Sequence, residues 1–103
     1  MAPLLEVVTE SSPEGMRVLA RGELDMHTAG DVTDALATVE SGQPAAVVLD
    51  LSGITFIDST GLRVIVAASV HSTRSGQDLR IVPSPAVDRV IDLCDVRAQL
   101  PLS

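Results

Sequence analysis

Leu51-Ser52-Gly53-Ile54-Thr55-Phe56-Ile57-Asp58-Ser59-Thr60-Gly61 carries an apolar, strand-like run into a polar corner, beyond which Leu62, Ile65, Val66 and Val70 repeat with a helical period. Gly76 stands where that helix would end in a left-handed C-cap. Two hydroxyls, Ser59 and Thr60, are thereby set at a helix N-terminus. Unpaired backbone N–H groups and the positive end of the helix dipole favour negative charge there. Two readings are open for these hydroxyls: an ordinary N-cap, or a carrier of phosphate.

Upstream, Ala45-Ala46-Val47-Val48-Leu49 is a continuous apolar run bounded by Pro44 and Asp50, the pattern of a central strand covered on both faces. Leu4 to Thr9 and Met16 to Gly22 read as an antiparallel pair joined by the turn-rich connector Glu10 to Gly15. Thr28 is placed as an N-cap with Asp31 approximating a capping box, and Val32, Ala35, Leu36 and Val39 carry a helix from Thr28 to Glu40. Downstream, Asp78 to Val82 reads as a strand. Ser84 as N-cap, Pro85 in the first helical position, and Val87, Val90, Ile91 and Cys94 at helical spacing predict a third helix. The tail Arg97 to Ser103 has room for one more strand.

Strands alternating with helices call for an α/β fold: a four- to five-stranded mixed sheet with parallel central strands, right-handed crossovers and at least three helices. Loops at the carboxyl ends of parallel strands gather on one edge of such a sheet, where sites form. Asp25, Asp50 and Asp58 each follow a predicted strand, so all three are expected on that edge near Ser59.

The chain has 103 residues, enough for one domain, residues 1–103, but not for two cores. It is 46% hydrophobic with Phe56 as its single aromatic, so the core must be built from Val, Leu, Ile and Ala. A net charge of −7, no lysine and no aromatic platform argue against nucleic acid as a direct partner and suit a basic protein surface. The sole cysteine, Cys94, rules out an internal disulfide and is expected as a small buried hydrophobe on the third helix. No apolar run is long enough to span a bilayer and Met1 to Glu6 does not resemble a leader, so a cytoplasmic protein is expected.

Three carboxylates on one edge raise the possibility of a Mg²⁺ site and of an aspartate-phosphorylated receiver domain. Receivers use a lysine that this chain lacks. Hydrolysis would need a base for Ser59, and the imidazoles are His27 and His71. His71 falls about 18 Å along the same helix at the usual rise, and His27 lies in a loop where a surface or capping role is expected. No phosphate-binding glycine loop or dinucleotide turn is present in the sequence. A small hydrolase or nucleotide-processing domain is thus disfavoured, and no cofactor or metal is expected.

Gly22-Glu23-Leu24-Asp25, Val48-Leu49-Asp50-Leu51-Ser52, Phe56-Ile57-Asp58-Ser59-Thr60-Gly61-Leu62 and Pro83-Ser84-Pro85-Ala86-Val87 stand in an order and spacing that resembles the STAS family, in particular the bacterial anti-sigma factor antagonists. The resemblance runs from about Leu4 to Leu100 and implies the STAS fold. It also implies partner switching. An unmodified antagonist binds an anti-sigma factor that is also a serine kinase, freeing the sigma factor; phosphorylation ends the interaction and a serine phosphatase restores it. By position the acceptor maps to Ser59, with Asp25, Asp58, Thr60, Gly61, Leu62 and Arg63 around it as partner-binding residues. For Asp25 a loop role, for Gly61 a tight helix start and for Arg63 simple solvent exposure remain open beside partner contact. A STAS scaffold in a larger signalling or transporter assembly, without phosphorylation, is the alternative within the family. Many members continue into a last strand and a closing C-terminal helix where this chain stops; a monomer or weak homodimer is expected, with self-association following if an apolar face is left uncovered there.

Overall fold

In a computed structural model, residues 4–103 are described. The order is β1 (Leu5–Ser12), β2 (Gly15–Leu24), α1 (Ala29–Glu40), β3 (Ala46–Ile57), α2 (Ser59–Ser75), β4 (Asp78–Val82), α3 (Pro85–Leu93) and a short 3-10 turn, Arg97–Gln99. The strands form one sheet in the order β1-β2-β3-β4, with β1 antiparallel to β2 and both β2–β3 and β3–β4 parallel. This is the mixed sheet with parallel central strands that the alternation of elements predicts. The tail adds a single parallel bridge, Ile81 to Leu102, so the further strand is present only as a start.

The hairpin is tighter than its connector suggests. Ser12 pairs directly with Gly15, leaving only Pro13 and Glu14 in the turn. Thr9, Glu10 and Ser11 are exposed, so their polarity costs nothing while the sheet satisfies their backbone groups. Gly15 has φ +136, and a Cβ there would come within 2.3 Å of the Ala46 carbonyl oxygen.

β3 differs most from expectation. Instead of ending at Asp50, it runs unbroken for 12 residues to the corner at Asp58. Two register shifts against β2 fall between Leu19 and Arg21 and between Gly22 and Glu23; in each, β3 holds the extra residue. Each bulge advances the side-chain alternation by one residue. The buried positions accordingly change from Val47, Leu49 and Leu51 to Leu51, Ile54 and Ile57, a spacing of two giving way to one of three.

Asp50 holds the first bulge. Its carboxylate accepts from the Ser52 backbone N–H at 3.0 Å and the Ser52 hydroxyl at 2.6 Å, and from Arg17 Nη2 at 2.8 Å. The expected grouping of Asp50 with Asp25 and Asp58 is therefore wrong: Asp50 lies mid-strand, committed to Arg17 and Ser52. Burial alone would push its carboxyl up, but the bonds from Ser52 and Arg17 outweigh that and hold it below its ordinary 3.8. A folded-state value below the unfolded one means the stabilisation is complete above the unfolded value and is lost as pH falls through the folded one. Asp50→Asn should therefore be less stable at pH 7, by about 1 kcal/mol, and its stability should fall less steeply in acid. Urea midpoints between pH 7 and pH 3 test this, and parallel acid limbs for the two proteins would contradict it.

The core is aliphatic, as composition requires. Val18, Leu24, Val32, Leu49, Leu51, Ile65, Ile81, Val87 and Ile91 are fully buried and belong to one cluster fed by the sheet and all three helices. Phe56 stays outside, 49% exposed. On α2 the buried stripe is Gly61, Leu62, Ile65, Ser69 and Ser72. Val70, expected inward, is exposed, while Ser69 reaches the Gln99 carbonyl at 3.2 Å and so takes the inward place. Gly76 ends α2 at φ +74 as expected. Ser84 caps α3 by accepting from the Val87 N–H at 3.1 Å. Because α3 ends at Leu93, Cys94 is its C-cap and is exposed, which corrects the expectation of a buried thiol.

Candidate functional site

β2 and β3 run parallel and finish together, Leu24 beside Ile57, so the next residues, Asp25 and Asp58, leave the sheet side by side. Asp58 is the N-cap of α2, with an extended backbone and a side chain that accepts from the Gly61 N–H at 2.9 Å. Its other carboxylate oxygen accepts from the Met26 N–H at 3.1 Å, and its own N–H donates to the Leu24 carbonyl at 3.2 Å. One carboxylate thus caps the helix and clamps the β2–α1 loop.

Asp25 organises that loop from within. Its Oδ1 accepts from the N–H groups of His27 at 2.9 Å and Thr28 at 3.2 Å. Thr28 stands at the N-cap position of α1 as expected, but its side chain makes no capping hydrogen bond and the capping box with Asp31 does not form. The Thr28 hydroxyl instead donates to the Glu23 carbonyl at 2.7 Å and accepts from the Asp25 N–H at 3.0 Å, tying the loop to the end of β2. Asp-x-x-Thr carries the signature of such a side-chain turn, which competes directly with the N-cap reading of the same threonine.

With Asp58 in the capping place, Ser59 and Thr60 occupy the first two helical positions and are not caps. Ser59 is exposed and Thr60 half-buried. The Ser59 hydroxyl faces solvent at the positive end of a 17-residue helix, next to a carboxylate already engaged by two backbone donors. Gly61 and Leu62 are buried, while Arg63 is exposed. A Cβ on Gly61 would lie 2.6 Å from the Leu24 carbonyl oxygen and 2.8 Å from Ile57 Cγ1. The glycine thus lets the first turn of α2 close onto the ends of β2 and β3, the tight helix start that stood as one of its two readings.

His71 bonds through Nε2 to Glu40 at 3.1 Å, on the surface of α2 away from Ser59. His27 contributes its backbone N–H to Asp25. An apolar groove of about 500 Å³ between α1 and α2, lined by Leu36, Ala37, Val64, Ala68 and Leu79 among others, contains none of Asp25, Asp58 and Ser59. Among the described residues, no group of three or more His, Cys, Asp or Glu side chains is placed to hold a metal ion, and no helix is long and apolar enough to cross a membrane.

The family model of the STAS domain matches residues 6–103. The chain belongs to the STAS family. This STAS chain is 38% identical over 69 residues to the anti-sigma-F factor antagonist RsfB of Mycobacterium tuberculosis, in both the CDC 1551 / Oshkosh and H37Rv strains. That alignment covers 66% of this chain and 57% of RsfB, so the chain spans a little over half the length of the curated relatives it matches. Among solved structures, an anti-sigma factor antagonist from Mycobacterium paratuberculosis superposes with a TM-score of 0.84 at 30% identity, over 95% of this chain and 84% of that one. The anti-sigma factor antagonist SpoIIAA in its unphosphorylated form superposes with a TM-score of 0.73 over 95% of this chain and 88% of its own; at 17% identity the likeness is one of fold.

Proposed function

We propose that this STAS domain is an anti-sigma factor antagonist switched by phosphorylation of Ser59. Its partner is an anti-sigma factor that is also a serine kinase, and a serine phosphatase resets it. Acting on transcription, it works in the cytoplasm as a substrate and binding module without catalysis of its own. The observation that carries this reading is the division of labour at the corner: Asp58 makes the cap, and the exposed Ser59 hydroxyl is left at the helix N-terminus. Likeness to RsfB and to the paratuberculosis antagonist supports the partner class.

Phosphorylation adds about −1.5 to −2 charges and three acceptor oxygens. The N-terminal turn of α2 accommodates that charge through its dipole and free N–H groups, so the fold survives. Docking fails, because the new charge beside Asp58 would have to be desolvated against a surface shaped for a neutral hydroxyl. Asp25, Asp58, Gly61 and Leu62 hold the corner in shape, whereas Ser59, Thr60 and Arg63 reach the partner. Incubation with the anti-sigma factor kinases of the source organism and ATP, followed by phosphopeptide mapping, should place phosphate on Ser59. Modification confined to Thr60, or none by any of these kinases, would overturn the proposal.

A further inference from the structure

Among the described residues, six large apolar side chains are substantially exposed: Leu4, Val8, Met26, Phe56, Val70 and Leu93. Scattered singly, such residues need no explanation, and Val8, Val70 and Leu93 sit apart on β1, α2 and the end of α3. Met26 and Phe56 both stand beside Asp58. Phe56 precedes Asp58 by two residues on β3, and Met26 is bonded to the Asp58 carboxylate through its N–H. Met26 is 69% exposed and Phe56 49%. Leu4 extends the same row, since its carbonyl accepts from the N–H of Glu23, the strand partner of Phe56.

The second bulge of β3 sets the orientation of Phe56. By advancing the alternation it turns Ile57 inward, 5% exposed, and leaves the chain's one aromatic facing water. Aromatic anchors that fill a pocket dominate protein interfaces, and methionine adapts to the contour of whatever covers it. The patch has an acidic margin: Glu23 pairs beside Phe56, and Asp25 precedes Met26.

We infer that Met26 and Phe56 are the apolar anchors of the docking surface whose switch is Ser59, and that the occupant is a protein presenting an apolar cleft bordered by basic side chains. The inference rests on the antagonist reading. Ser59 then sits within the desolvated contact, where an added charge must lose its water, and affinity itself comes from the two neighbouring apolar side chains.

The test is calorimetric titration of whichever anti-sigma factor kinase binds the wild-type chain, using Phe56→Thr, Met26→Ser and, as a distant control, Leu93→Ser. Each anchor variant should weaken binding at least about tenfold, with the thermal midpoint and circular dichroism of wild type, while Leu93→Ser binds as wild type does. Raising salt should weaken wild-type binding through loss of the basic border. Anchor variants that bind within about twofold of wild type, or that lose no more affinity than Leu93→Ser, would overturn the inference and leave the Ser59 switch standing. Failure of every anti-sigma factor kinase to bind the wild-type chain would overturn the antagonist reading, and the anchors with it.

Discussion

Ser59→Asp should bind the anti-sigma factor kinase about 100-fold more weakly than Ser59→Ala, equivalent to about 2.7 kcal/mol. Alanine removes a hydroxyl that faces solvent, so little is lost when the partner covers it. Aspartate places a second carboxylate next to Asp58, whose oxygens are already occupied by the N–H groups of Gly61 and Met26. On the free chain that extra charge is tolerated, because an anion in the first turn of a helix gains about 0.3 to 1 kcal/mol from the dipole. In the docked state it must lose water, a far larger cost. Ser59→Asp should consequently keep or slightly raise the thermal midpoint while losing affinity. A variant that loses both would point to damage to the fold, and equal affinities for the two variants would contradict the switch.

Asp58→Ala should lower stability by about 2 kcal/mol. The cap to Gly61 accounts for about 1 kcal/mol, and the charge-assisted bond to the exposed Met26 N–H, which water partly replaces, for about another. In a domain of this size that corresponds to a fall in thermal midpoint of about 8 to 16 °C. Asp58→Asn keeps an acceptor for the Gly61 N–H and, as an equally good N-cap, should recover most of the loss. Differential scanning calorimetry of the three proteins decides the matter. A drop of less than about 2 °C for Asp58→Ala would show that the cap and clamp contribute little.

Much of this architecture is legible because local chemistry and global fold agree. Ser84-Pro85 opens α3 and Gly76 closes α2 where their residue types predict. The aliphatic run around Val47 to Leu49 becomes the centre of the sheet. The expectations that failed share a cause, which is long-range partnership. Asp50 reads as a strand end because a lone aspartate breaks strands, yet Arg17, 33 positions earlier in the chain, keeps it inside one. The spacing of Leu51, Ile54 and Ile57 belongs to neither a regular strand nor a helix until the bulges against β2 are seen. Cys94 continues a helical period past the point where the helix stops.

At the site, the corner and its acidic neighbour were visible, but the assignment of roles was not. Ser59 and Thr60 compete on paper with Asp58 for the N-cap, since all three residue types cap helices. The structure gives the cap to Asp58 because its position lets one carboxylate satisfy both Gly61 and the β2–α1 loop. Met26 carries no sequence signal for a simple reason: it acts on Asp58 through its backbone, and no side-chain pattern announces that. Thr28 signals an α1 cap by its residue type, yet the Asp25 turn uses the same hydroxyl and takes it.

The most direct measurement compares two forms of the unmutated chain against one anti-sigma factor kinase: unmodified, and carrying a single phosphate on Ser59 verified by mass. The unmodified form should bind and the phosphorylated form should show no measurable heat of binding, while the far-ultraviolet circular dichroism of the two remains the same. Equal affinity of both forms would contradict a switch at Ser59.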